Sequence, residues 1–263
     1  MTVYAVHPTL TGESVRRTPL VVVTWPAGQW MKGSAMTLSA KREWLVPVGL
    51  IMLSAVPVIA GAARTAELTG GATVTPDNAR FFASPVPVLV HIVGASLYCL
   101  LGAFQFAPGL RRRRPGWHRL AGRVLVPCGL AAALSGLWMT LFYPRPPIDH
   151  VLVTPMRLVF GTAMLGCIVL GFAAIRRRDI PRHRAWMARG YAIGLGAGTQ
   201  VLTHLPWMLL VGQPDGVGRA FLMLAGWVIN LAVVEWALRR RPTKPTRSVQ
   251  RRADAPAGAL ASH

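Results

Sequence analysis

The sequence predicts an all-α fold, a polytopic membrane helix bundle with six transmembrane helices and both termini cytoplasmic. Three observations carry this reading. The chain has 263 residues, 52% apolar and only 14% charged, whereas a soluble domain carries about 25% charged residues. Its mean hydropathy is +0.41. Six separate runs approach the ~20 apolar residues needed to span a bilayer. Finally, 24 of the 29 Lys and Arg residues fall on one predicted side.

Residues 1–40 hold scattered charges and a short Val run but no spanning segment. They read as a disordered arm or a mis-assigned start, because Met36 opens MTLSAKREW immediately before the first apolar stretch. No signal-peptide cleavage pattern follows an apolar stretch this early. The six-helix domain is expected over 41–238, with spans near 44–62, 86–107, 120–143, 155–175, 187–211 and 219–238. Pro47 and Pro57 lie in the first span, Pro127 in the third and Pro206 in the fifth. Membrane helices tolerate such prolines because neighbours re-satisfy the freed carbonyls. Residues 239–263 read as a basic, disordered cytoplasmic tail.

The positive-inside rule orients the bundle. Six arginines lie between the second and third spans, at 111–114, 119 and 123. Six more lie between the fourth and fifth, at 176–178, 182, 184 and 189. The termini supply the rest of the majority. Only Arg64, Arg80, Arg145, Arg157 and Arg219 fall on the other side. Trp44, Trp117, Trp186 and Trp236 mark the inner boundary, where an aromatic belt belongs. This places the chain in the cell inner (cytoplasmic) membrane. The net charge of +20 does not indicate nucleic-acid binding, because apolar runs separate the basic clusters and leave no soluble basic domain. Anionic lipid headgroups are the expected partner of those clusters. A homo-oligomer or a larger membrane complex is an open alternative.

Two loops carry the same signature. RRRRPGWHR at 111–119 and RRRDIPRHR at 176–184 each place an Arg cluster, a proline and a His-Arg pair before an apolar helix. The stretches 101–119 and 170–184 read as parallel hairpin repeats, with convergence of two positive-inside loops as the plain alternative. Four histidines stand out. His118 and His183 sit at the predicted cytoplasmic boundary. His91 and His204 both lie about 25 Å above it, at the usual helical rise. One pair near each face is what a two-haem electron conduit requires, since haem iron takes two axial imidazoles from separate helices. A b-type haem is therefore the sharp cofactor reading of His91, His118, His183 and His204. The plainer reading makes the first pair interfacial and the second pair neutral, hydrogen-bonded core groups.

Arg119, Arg123, Arg184 and Arg189 accompany the histidines, either snorkelling to the surface or binding a lipid headgroup or substrate. Gln105, Gln200 and Asn230 are expected to bond across helices, and Glu235 to pair with Arg239. Cys99, Cys128 and Cys167 lie in apolar segments without CxxC spacing, so neither a disulfide framework nor a metal site is implied. No phosphate loop, HExxH, nucleophile elbow or paired-carboxylate motif is present, and catalytic residues are unknown.

At these residues the chain resembles bacterial predicted membrane proteins grouped as domain of unknown function 2306. The similarity rests on His91–Ile92 with Gly94–Ala95, LGAFQF at 101–106, HRLAGRV at 118–124 and RRRDIPRHRAWMARGYA at 176–192. It covers about 86–205. The resemblance implies a multi-pass membrane protein without an established activity. This chain departs from the family pattern in two places. Leu125 stands where a Tyr is typical, and GTQVLTH where an Arg is usual, so His204 is not carried over. The expected function is a redox or small-molecule carrier with a cytoplasmic-side site of His118, Arg119, Arg123, His183, Arg184 and Arg189. The alternatives are a non-catalytic lipid-binding protein or complex subunit, and a transporter. Electron transfer is the only activity suggested.

Overall fold

The computed structural model describes residues 29–240, with side chains from Glu43 onward, and its described elements are all helices. They are α1 (Gln29–Thr69), α2 (Ala79–Ala83), α3 (Pro85–Gln105), α4 (Pro108–Arg113), α5 (Pro115–Phe142), α6 (Val153–Arg176), α7 (Ile180–Gly194), α8 (Gly196–Leu210) and α9 (Gly216–Arg239). The bundle belongs to the larger of two units, Ala40–His263. The expected tail lies almost wholly outside the described residues. So does most of the expected arm, although from Gln29 the backbone is helical.

Local sequence sets the helix starts. α3, α4 and α5 each begin on a proline, which needs no N–H partner in the first turn. Asp179 caps α7 by accepting from Arg182 N at 3.1 Å, and Asp215 caps α9 by accepting from Gly218 N at 2.6 Å. α6 ends with Arg178 in the left-handed region at φ 59°, a position usually given to glycine.

Small residues bring the helices together, as expected where lipid removes the hydrophobic drive between them. Gly94 of α3 lies on the Cys128 carbonyl of α5, and Gly171 of α6 lies on Met187 of α7. Gly226 of α9 lies on Gln200 of α8. Tyr98, Leu125, Met164, Ile168 and Tyr191 fill the core. Large apolar side chains cover the outside, Leu210 being 85% exposed, as a lipid-facing surface requires.

Five helices are long and apolar enough to cross a membrane: Glu43–Thr69 within α1, then α3, α5, α6 and α9. The fifth predicted span, 187–211, departs from expectation. It is divided at Leu195 between α7 and α8, each of 15 residues. Packing explains the break. Gly194, Gly196 and Gly198 receive Tyr98, the Trp227 indole and the Leu53 carbonyl respectively. That carbonyl is free because Pro57, four residues on, has no N–H to give it. The missing side chain of Gly198 is what lets α8 approach that carbonyl so closely.

Candidate functional site

The two His-Arg tips fold alike. His118 is the fourth residue of α5 and His183 the fourth of α7. Their fates differ, however. His183 Nδ1 donates to the Gly171 carbonyl at 2.8 Å, whereas His118 Nδ1 is buried with no partner among the described residues. Arg119, Arg123 and Arg184 are exposed beside them.

Arg189 does not join this group. Its Nε and Nη2 donate to Glu235 Oε1 and Oε2 at 2.5 and 3.1 Å, tying α7 to α9. This corrects two expectations. Glu235 pairs with Arg189 rather than Arg239, and Arg189 is engaged with protein rather than snorkelling or awaiting a headgroup or substrate. The i,i+4 rule favoured Arg239, but helix packing offered a bidentate fork.

The polar core residues behave largely as expected. Asn230 accepts from Thr199 Oγ1 and donates to the Ala192 carbonyl, and Gln200 donates to the Met223 carbonyl. The Gln105 amide nitrogen is buried with no partner among the described residues. The three cysteines are free thiols.

The second histidine pair separates. His91 Nδ1 donates to the Ala132 carbonyl of α5 at 2.9 Å, and its ring lines a cavity of about 580 Å³. His204 Nδ1 donates at 2.7 Å to the Gln200 carbonyl of its own helix and does not line that cavity. His91 is the only histidine among the lining residues. No group of three or more His, Cys, Asp or Glu able to hold a metal occurs among the described residues.

That cavity falls within the roughly 300–1,000 Å³ of small-molecule sites. Its walls come from α1, α3, α5, α6, the α7–α8 junction and α9. On α3 its lining runs from His91 to Cys99, about 12 Å at the helical rise, below a mouth to which Arg80 and the 143–152 loop contribute. Ile92, Ala95, Met164 and Trp227 make its inner part largely apolar, interrupted by Ser54, Ser96 and Gln200.

Its mouth is strongly basic. Arg80 of α2, Arg145 of the 143–152 loop, Arg157 of α6 and Arg219 of α9 all line it, with Asp149 as the one acidic lining residue. The Asp149 side chain is fully buried. Its Oδ1 accepts from Arg219 Nε at 2.9 Å. Arg157 Nη1 stands 3.0 Å from Oδ2, an ion pair without hydrogen-bond alignment.

Two supports hold α2 at this mouth. Asn78 is buried, accepting from Thr75 N and donating to Glu67. Tyr143 donates its hydroxyl to the Ser84 carbonyl at 2.5 Å. The rings of Phe81 and Tyr143 meet edge to face, and Arg64 and Arg80 both lie over Phe81 at 4.6 Å. Burial lowers the Arg80 pKa, as do the Arg157 and Arg64 charges, against the opposing pull of Asp149 and Asp77.

Sequence reasoning missed this site, although it had named every basic residue in it. The five arginines that lie apart from the arginine-rich loops and termini all converge here, four lining the mouth and Arg64 beside them. Cations set apart from those clusters were the available signal.

Helices of this length and apolarity, packed through glycines and coated in apolar side chains, define a polytopic α-helical membrane protein. The chain belongs to the family described as predicted membrane protein, domain of unknown function 2306, whose profile matches residues 88–238. The match includes α9 and so extends beyond the stretch recognised from motifs. No curated protein and no solved structure matches the chain.

Proposed function

We propose that the chain is a six-crossing protein of the bacterial cytoplasmic membrane that binds a small molecule in the cavity opposite its His-Arg tips. In this reading α7 and α8 together make one crossing, and both termini lie in the cytoplasm. The binding site is therefore at the far face rather than among the cytoplasmic histidines. One observation carries this: a cavity of about 580 Å³ with largely apolar inner walls and a built, charged mouth. A neutral apolar probe tests it. Tritiated hexadecanol should bind saturably to the full chain in neutral detergent. A Gly136→Trp variant, which places an indole beside His91, should lose that binding while melting as a helical protein. Equal binding by both proteins would remove the cavity from consideration.

A second reading concerns the tips. Exposed Arg119, Arg123 and Arg184 support contacts to anionic headgroups at the cytoplasmic face, each contributing about 1 kcal/mol near such a surface.

A further inference from the structure

We infer that the ligand of this cavity is an amphiphile with a single anionic head, a carboxylate or phosphate group, held by Arg80 and Arg145 with its apolar chain directed toward Tyr98. The inference rests on the proposed cavity-binding function and adds its chemical class.

Charge at the mouth is unbalanced. Four guanidinium groups line it against one carboxylate. Asp149 engages Arg157 and Arg219. Arg80 and Arg145 have no ion-pair partner among the described residues, and Arg80 is partly buried against Phe81. A guanidinium with part of its water removed gains most from an anion, because its field is less screened there. Its planar fork also matches carboxylate and phosphate oxygens in pairs.

The same field rejects cations. The largely apolar inner wall in turn disfavours a wholly polar anion, which would leave its remaining groups without partners. Only a molecule that is anionic at one end and apolar along its length satisfies both regions. Asp149 has its own part in this choice. By holding Arg157 and Arg219 in ion pairs it leaves Arg80 and Arg145 as the two mouth cations without one among the described residues, which suits one head rather than a polyanion.

Such a head could belong to a bilayer phospholipid or to a free single-chain acid. Binding of tritiated hexadecanoic acid and tritiated hexadecanol to the full chain tests the class. Hexadecanoate should bind at least tenfold more tightly, and raised salt should erase that advantage. Arg80→Gln and Arg145→Gln should each bring hexadecanoate toward the hexadecanol affinity and leave hexadecanol unchanged. Equal affinity of acid and alcohol for the unaltered protein would overturn the anionic head while preserving the cavity. Absence of binding by either probe would instead overturn the cavity function itself. Displacement of hexadecanoate by phosphatidylglycerol supports the head chemistry and assigns it to a bilayer lipid. Failure of displacement, with tight hexadecanoate binding, supports it and assigns a free acid.

Discussion

Arg189 and Glu235 form the bidentate contact that fastens the first half of the broken rod to α9, with Nε and Nη2 of one meeting both carboxylate oxygens of the other. Arg189 also lies 5.1 Å from the Trp186 ring centroid. Lysine cannot reproduce a planar fork. Arg189→Lys and Glu235→Gln should each lower stability in detergent by about 1 kcal/mol, because both groups keep some exposure. A double-mutant cycle on thermal melting should give a coupling of similar size. Strict additivity would mean that the pair contributes nothing.

The Asp149 site should respond more strongly. Its carboxylate is fully buried between Arg157 and Arg219. Asp149→Asn leaves two cations facing one another and should cost about 3–5 kcal/mol. Adding Arg219→Gln should recover part of that loss, since it removes one of the stranded charges. A double variant less stable than Asp149→Asn would contradict the electrostatic account.

Glycines give a paired test of packing. A Cβ on Gly129 would come within 2.7 Å of Tyr98 and 2.8 Å of Ile168. Gly129→Ala should therefore destabilise by about 1–3 kcal/mol through overpacking. Gly122 in the same helix has nothing within 4 Å of that position. Gly122→Ala should instead be neutral or stabilise by up to about 1 kcal/mol. Differential scanning fluorimetry on both variants decides the matter by sign.

Orientation is read from reporters. Fusions of a cytoplasm-dependent reporter after Arg114 and after Arg178 should be active, because both lie in the arginine-rich majority. A fusion between Arg145 and His150 should be silent. Activity at that last position would reverse the side assigned to the cavity.

Much of the helical architecture was legible because apolar length alone specifies a spanning helix. The ends of α3, α5, α6 and α9 fall within a few residues of the predicted spans. The break at Leu195 was not legible. It depends on Tyr98, Trp227 and Leu53 arriving at three glycines from distant parts of the chain. Likewise, nothing adjacent to Glu235 in sequence marked Arg189 as its partner. The like positions of His118 and His183, each fourth in its helix, were legible because the Arg cluster, proline and His-Arg pair before each helix are local signals. The cavity mouth was not, since its arginines come from four separate elements that only tertiary packing assembles.

The junction at Leu195 bears on length. α7 and α8 run almost without interruption from Ile180 to Leu210, a rod of about 46 Å at the helical rise. The hydrocarbon layer is about 30 Å thick. Roughly ten residues of the rod have no room within it, about the length of the stretch from Ile180 to Arg189 that carries Arg182, His183 and Arg184. In the proposed six-crossing arrangement the basic tip is then the rod's overhang, set outside the hydrocarbon by surplus helix as much as by charge. Shortening α8 would draw those cations inward, toward a layer that cannot solvate them.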